Sequence, residues 1–345
     1  MAFDNTSAAF FRQRVAAPAR MARHVIAVTS AAERRVFALV ALQAVIVAVA
    51  LPFSGYALDW RSTLPTLLAA AALFAIGILY RTRRPSERIA AMTMGTSAML
   101  LFSMSMALAN YLAIRLERPL IDGLLADWDR AFGFDWPAMV AAVQGMPWLK
   151  ITFSVAYVTT LPQIAIVVVV LALSGRLDRL GLFMLSFCIS ALMTVAFWAM
   201  FPSFGAFAYY WEGGLALSDR GLIVDADYAR ELYDLRAGRI GILVIDELTG
   251  LIAFPSFHTA IAVLAAWFLW PVRFVGGIAL GLNLLVVLSV PFDGGHHLVD
   301  VPAGILTALA GIAVARWWLA GAAPRGVKSA TAAKEPAASD GRAQP

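Results

Sequence analysis

The chain has 345 residues, of which 61% are hydrophobic and 14% are charged. Soluble globular domains have about 45–50% apolar and about 25% charged residues. This composition excludes an ordinary soluble domain and predicts one polytopic membrane domain with short tails. A formal net charge of +5 would favour nucleic-acid binding in a soluble protein. Here the basic residues sort by membrane side, so we expect no nucleic-acid partner.

The N-terminal segment does not have the pattern of a cleaved signal peptide. About 35 polar, Arg-rich residues precede the first apolar run, whereas a signal peptide leads directly into a short apolar core. We therefore expect the first apolar run to be a span of the mature protein, and His24 before it to be solvated. The single cysteine, Cys188, lies in an apolar run and is expected to be buried, without a disulfide or a CxxC metal site.

Eight apolar stretches have about the length that a membrane span requires, roughly 17–25 residues. Pro162 lies inside the fourth and is expected to kink it. The predicted fold is all-α, a polytopic membrane bundle of about eight transmembrane helices. The eight stretches are 36–54, 64–80, 89–114, 149–174, 180–201, 254–271, 274–290 and 299–319.

The connections between these stretches alternate between a basic and an acidic side. The first side includes residues 1–35, the turn 81–88 and the C-terminal tail, and carries 18 of the 27 Lys and Arg residues. The other side carries 16 of the 22 Asp and Glu residues. Because Lys and Arg near spans stay cytoplasmic, we expect a multi-pass protein of the cell inner membrane. Both termini would be cytoplasmic and the acidic side would face outward.

Two connections on the outer side are unusually long. In 115–148, the segment LIDGLLADWDRAF has an apolar helical stripe and predicts an amphipathic helix lying in the membrane interface. Its aspartates Asp122, Asp127 and Asp129 are off that stripe and are expected to be solvated rather than to bind a metal. The second connection, 202–253, has a length that is usually functional or disordered.

Three of the four histidines fall at span starts on the outer side. His258 opens the sixth stretch in FPSFHTA, and His296 and His297 precede the eighth in GGHHLVD. Asp300 follows at the edge of the eighth stretch. Ionisable residues at a span edge are costly and suggest function. Helix starts also present free N–H groups that suit a phosphate.

This pattern predicts a phosphoryl-transfer site that needs no metal. A histidine backed by a carboxylate is a good nucleophile or base, and a second histidine can protonate a leaving oxygen. Spacing alone does not choose between His296 and His297 as the partner of Asp300. Two other interpretations stay open: hydrogen-bonded structural histidines, and a zinc site, although no HExxH or Cys/His spacing supports zinc.

The segments PSFH, residues 255–258, and HHLVD, residues 296–300, resemble the second and third motifs of the type 2 phosphatidic acid phosphatase superfamily, the lipid phosphate phosphatases. The resemblance implies a six-helix core in which both motifs open helices on one face. The third motif of the family ends in HxxxD, so the resemblance implies that His296 is the nucleophile and that Asp300 orients it. It also implies that His258 is the acid–base group.

The chain departs from the family pattern mainly at the phosphate-binding cations. Phe257 stands where the family has glycine, Val290 where the third motif has arginine, and Tyr111 where the first has lysine. This pattern is similar to the bacterial subgroup related to inositol phosphorylceramide synthase. Arg118–Pro119 could match the end of the first motif. Arginine binds phosphate well, and the candidate phosphate-binding residues are Ser256, Gly295, Arg118, Arg236 and Arg239.

The sequence thus predicts a membrane phosphoesterase or phosphotransferase with no cofactor, acting at the outer face on a lipid phosphate or phospholipid through a phosphohistidine. A headgroup transferase without net hydrolysis and a non-catalytic lipid-phosphate carrier are the alternatives. The oligomeric state is left open. The expected organisation is a cytoplasmic N-terminal segment, a two-helix extension, a phosphatidic acid phosphatase-like domain and a disordered cytoplasmic tail, over residues 1–35, 36–88, 89–320 and 321–345.

Overall fold

The computed structural model describes residues 29–214 and 222–321. Most of the predicted N-terminal segment with His24, and nearly all of the predicted C-terminal tail, lie outside the described residues. The described part is almost entirely helical, which confirms the all-α class. Its α-helices are α1 Ala31–Ala50, α2 Trp60–Thr82, α3 Glu87–Ile114, α4 Asp122–Ala131, α5 Trp136–Gln144, α6 Pro147–Val158, α7 Thr160–Leu173, α8 Leu177–Met200, α9 Gly205–Glu212, α10 Ala226–Arg236, α11 Phe257–Leu269, α12 Val275–Asp293 and α13 Asp300–Ala320.

The remaining regular structure is short. Two 3-10 turns lie at Leu51–Phe53 and Ile245–Glu247, and two strands, β1 Ala57–Leu58 and β2 Ile242–Leu243, pair in parallel. This pairing ties the α1–α2 connection to the long connection before α11. The long connection 202–253 is therefore folded in its described parts, with α9 and α10 inside it.

Six helical segments in the described part are long and apolar enough to cross a membrane. The chain is accordingly a multi-pass membrane protein. Two of the eight predicted spans differ from single long helices. The fourth is a pair of helices, α6 and α7, bent by 51°, and the sixth, α11, has only 13 residues. The six segments are Ala31–Phe53, Trp60–Thr82, Glu87–Ile114, Leu177–Glu212, Val275–Asp293 and Asp300–Ala320.

The bend between α6 and α7 has its cause at Pro162. This residue lies in the first turn of α7, the place in a helix where a missing N–H is tolerated. Its ring cannot share a continuous helix with the carbonyl four residues earlier, so α6 ends at Val158 and a new helix starts at Thr160. The kink predicted from the sequence is thus a full break of the helix at Thr159, where the chain changes direction.

Helix α8 is the centre of the bundle and packs against α1, α3, α7, α11 and α13. Its contact with α13 depends on Gly311, because a Cβ there would lie 2.1 Å from the Ser190 hydroxyl. Close approach at small residues is the usual basis of helix packing in lipid. Cys188 of α8 is fully buried, as expected.

Helix α4 is amphipathic, but its polar face points inward. Asp122 and Asp129 are only 3% and 2% exposed, whereas Trp128 and Phe132 are 45% and 76% exposed. The expectation that these two aspartates are solvated is therefore wrong. In lipid the apolar face can remain outside while the carboxylates bind polar groups of the protein. Asp127 does remain exposed, in an ion pair with Arg130.

Candidate active site

The HxxxD segment places its first histidine directly against its aspartate. The Nδ1 atom of His296 lies 2.9 Å from Oδ2 of Asp300, the first residue of α13. The backbone N–H of His297 donates to the same oxygen at 3.0 Å. A carboxylate at Nδ1 fixes the orientation of an imidazole and favours the tautomer with its proton there. Nε2 is then the ring nitrogen of His296 available for chemistry.

The PSFH segment is joined to HxxxD through the backbone. Ser256 is the N-cap of α11, and its hydroxyl accepts from the Thr259 amide at 3.3 Å. Its own amide donates to the carbonyl of Asp300 at 3.2 Å. A Cβ at residue 304 would lie 2.3 Å from the Ser256 carbonyl oxygen, so this approach of α13 to α11 requires Gly304. The Ser256 hydroxyl, a predicted phosphate ligand, is thus already used as a helix cap.

The two predicted catalytic histidines lie beside each other. The ring centroids of His258 and His296 are 6.4 Å apart, with an interplanar angle of 71°. His258 is stacked on Tyr157 of α6, with centroids 4.4 Å apart. The Tyr157 hydroxyl is 3.4 Å from Nδ1 of His258. Tyr157 therefore positions the second imidazole.

The glycine pair before His296 allows close packing around that ring. A Cβ at Gly294 would lie 2.5 Å from Cδ2 of His296 and 3.0 Å from Cε2 of Tyr157. Gly295 has a φ of +60°, which favours glycine, and its carbonyl accepts from the Phe207 amide at 3.0 Å. Gly295 therefore shapes the loop that carries His296, and its predicted contact with phosphate stays a prediction.

His297 is fully buried between two carboxylates of α4. Its Nδ1 is 3.3 Å from Asp129 and its Nε2 is 3.6 Å from Asp122, distances of ion pairs rather than of well-formed hydrogen bonds. Burial alone would lower the pKa of His297, but Asp122 and Asp129 outweigh it and raise the pKa to about 9. The imidazole is then a cation at neutral pH. It can supply a structural charge, but it cannot accept a proton as a base.

The same two carboxylates also bind backbone N–H groups. Asp129 accepts from Leu298 and Val299, just before α13, at 3.0 and 3.1 Å. Asp122 accepts from the Phe204 and Gly205 amides, at 3.0 and 2.8 Å, and from the Ser203 hydroxyl at 2.6 Å. Helix α4 thus fixes the loop before α13 and the start of α9. We call His297, Asp122 and Asp129 the α4 clamp.

The three predicted phosphate-binding arginines have no contact with the histidine pair in the described part of the chain. Arg118 is exposed. Arg236 donates to the Glu117 carbonyl at 3.2 Å, and Arg239 pairs with Asp234 at 2.5 Å.

The residue at the first-motif lysine position, Tyr111, is committed elsewhere. Its hydroxyl donates to Glu231 at 3.2 Å and accepts from the Thr249 amide at 2.9 Å. This bond network fastens α3 to α10 and to the connection before α11. Tyr111, which stands where the family motif has lysine, therefore has a structural role.

One face of α6 was not singled out from the sequence. Lys150, Ser154 and Tyr157 are spaced at i, i+4 and i+7, so they share a face of the helix. Ser154 donates to Oδ1 of Asp293 at 2.8 Å, and Lys150 is close enough for its charge to act on the same carboxylate. The signal available in the sequence was the spacing of three polar residues at the start of an apolar span.

The sequence model of the PAP2 superfamily matches residues 123–314, more than half of the chain. The chain belongs to the PAP2 superfamily. Members of this superfamily are generally phosphatases, and together with the apolar helices this supports a membrane phosphatase-type enzyme. The matched region contains both histidine segments and begins after Arg118. No curated protein and no solved structure gives a match to the chain.

Proposed function

We propose that the protein is a phosphoesterase or phosphotransferase that acts on a lipid phosphate or phospholipid through a phosphohistidine on His296. The single observation that carries this proposal is the 2.9 Å contact of His296 Nδ1 with Asp300, with the ring of His258 beside it. That geometry leaves Nε2 of one imidazole as a nucleophile and a second imidazole within reach of the same phosphate.

The reaction would proceed in two displacements at phosphorus. In the first, Nε2 of His296 forms a bond to phosphorus while the bond to the ester oxygen breaks, and His258 gives its proton to the departing alkoxide. In the second, His258 takes a proton from water or from an alcohol, whose oxygen attacks phosphorus as the bond to Nε2 breaks. Asp300 stabilises the imidazolium character that develops on His296.

A hydrolase and a transferase would share every residue in this scheme, because they differ only in whether water or an alcohol enters in the second step. The lipid nature of the substrate is supported by the apolar helices that surround the site. The outward orientation of the site is supported by the charge asymmetry of the sequence. Metal independence is part of the proposal, since imidazole and carboxylate groups alone supply nucleophile, acid and base.

The proposal is tested by trapping the intermediate. Purified protein in detergent is mixed with ³²P-labelled p-nitrophenyl phosphate and quenched in alkali within milliseconds to seconds. We expect alkali-stable, acid-labile phosphate on the protein, located on His296 by mass spectrometry. Turnover should survive EDTA and be inhibited by vanadate.

Three results would reject the proposal: no covalent phosphate in the presence of turnover, loss of turnover on chelation with recovery on adding zinc, or binding of lipid phosphate without any turnover. The last of these would indicate a carrier. The matched control is Asp127→Asn, an exposed residue of α4 whose exchange should leave trapping unchanged.

A further inference from the structure

A second buried carboxylate lies three residues before His296 in the chain and has no role in the scheme above. Asp293 is the last residue of α12 and is 0% exposed. Its Oδ1 accepts from the Ser154 hydroxyl at 2.8 Å, but its Oδ2 is buried and has no hydrogen-bond partner in the described structure. Buried carboxylate oxygens normally have a donor, because an unpaired one loses its hydration without replacement.

The position of Asp293 connects it to the reacting groups. The next residue, Gly294, packs so closely on the rings of His296 and Tyr157 that a Cβ there would lie 2.5 and 3.0 Å from them. Ser154 precedes Tyr157 by three residues, about 4.5 Å along α6, and Tyr157 is stacked on His258. Asp293 and His258 therefore contact residues one helical turn apart on the same face of α6.

An ionised carboxylate at this position disfavours phosphate and favours a hydrogen-bond donor. The Ser154 hydroxyl donates to one oxygen of Asp293, and Lys150 forms no ion pair with Asp293 within 4 Å. An ionised carboxylate accepts and does not donate, so the partner of its free oxygen must be a hydrogen-bond donor such as a hydroxyl or an ammonium group.

We propose that Asp293, held by Ser154, is a binding subsite for a hydroxyl or ammonium group on the alcohol part of the phosphoester. The substrate class is then a phospholipid with a donor-bearing headgroup rather than a bare lipid phosphate. This inference rests on the phosphotransfer proposed above. A site built to bind such a donor discriminates strongly against an analogue that lacks it, because the buried acceptor is then left unpaired.

The test is a competition between three phospholipids with identical acyl chains in one mixed micelle: phosphatidylglycerol, phosphatidylethanolamine and phosphatidylpropanol. Consumption of each is followed by mass spectrometry with the wild-type protein and with Asp293→Asn. We expect the wild type to prefer a donor-bearing lipid over phosphatidylpropanol. Preference for phosphatidylglycerol would identify a hydroxyl as the ligand, and preference for phosphatidylethanolamine an ammonium.

In Asp293→Asn this preference should fall about 10- to 100-fold, the range for hydrogen bonds to charged groups. Ser154→Ala should lower it less, in the same direction. Asp127→Asn is the matched control and should retain the wild-type preference. Because the preference is a ratio within one sample, a change in the amount of folded protein cancels.

Three outcomes would overturn the inference: no preference in the wild type, a preference that survives Asp293→Asn, or consumption of none of the three lipids while p-nitrophenyl phosphate still labels His296. The second outcome would leave a bound water as the partner of Oδ2. If His296 is never labelled, the proposed function itself fails, and the two failures are thereby distinguished.

Discussion

His296 and His297 are adjacent in the chain and both are buried, but their surroundings differ in kind. His296 touches one carboxylate, which belongs to its own segment, and faces a second imidazole. His297 lies between two carboxylates of a different helix, which hold it as a cation. One environment leaves a ring nitrogen free to react, and the other uses both ring nitrogens to hold charge. The two histidines share residue type and motif but differ in the number and origin of their partners, and the different roles proposed for them rest on that difference.

The largest expected effect is on the reactive member of the pair. His296→Ala removes the proposed nucleophile, so we expect turnover and acid-labile phosphate on the protein to fall below detection. Quench-flow trapping with p-nitrophenyl phosphate measures both. If His297→Ala instead abolished the trapped phosphate, normalised to folded protein, while His296→Ala retained it, the assignment of the two roles would be reversed.

The second-largest expected effect on turnover is that of His258→Ala, which removes the proposed acid and base. General acid–base assistance contributes about 10²–10⁴-fold, so lipid turnover should fall by that range. Turnover of p-nitrophenyl phosphate should fall less, because p-nitrophenolate leaves without a proton. Steady-state rates on both substrates provide the measurement. Equal losses on both would contradict the role of His258 as the acid.

The α4 clamp should respond in stability rather than in chemistry. His297→Ala leaves Asp122 and Asp129 facing each other without a cation, and breaking a buried ion pair in this way costs about 3–5 kcal/mol. We expect a clearly lower midpoint of thermal unfolding in detergent. Asp127→Asn disrupts the exposed pair with Arg130 on the same helix, where about 0–1 kcal/mol is at stake, and serves as the control.

The clamp also predicts a direction for the pH dependence of stability. The pKa of His297 is raised from 6.5 to about 9 in the folded state. Its contribution to stability should therefore be complete below about pH 6.5 and be lost as the pH rises through about 9. Midpoints measured between pH 6 and pH 10 should fall for the wild type and show a weaker fall for His297→Ala. Parallel curves would mean that His297 is neutral in the folded protein.

Much of this arrangement could be predicted from local sequence. The apolar stretches fall on helices, and the short spacing places Asp300 within reach of His296 or His297, although it was the resemblance to the family motif that selected His296. The break near Pro162 also follows from local chemistry. These features depend on residues a few positions apart, so a single sequence is sufficient to predict them.

The remaining features depend on tertiary packing. Tyr157 meets His258 across 101 residues, and Ser154 meets Asp293 across 139, and no periodicity indicates such pairs. The inward direction of Asp122 was missed for a different reason. An amphipathic helix in water turns its carboxylates outward, but a helix against lipid can turn them toward the protein, and the two cases have the same pattern. The number of charged residues and the helical periodicity therefore could not distinguish a helix in water from a helix against lipid.

The smallest expected effect tests how the reactive pair is positioned. Tyr157→Phe retains the ring that stacks on His258 and removes only the hydroxyl, which is 3.4 Å from Nδ1. A hydrogen bond of ordinary strength contributes about 0.5–1.5 kcal/mol, so we expect a loss of about two- to tenfold in kcat for lipid and little change in KM. The pH profile of kcat should shift, because the hydroxyl influences which nitrogen of His258 carries the proton. Tyr157→Ala also removes the stacking surface and should cost more. If Tyr157→Phe were as damaging as His258→Ala, the hydroxyl would be taking part in proton transfer, and Tyr157 would belong with the reacting groups instead of supporting them.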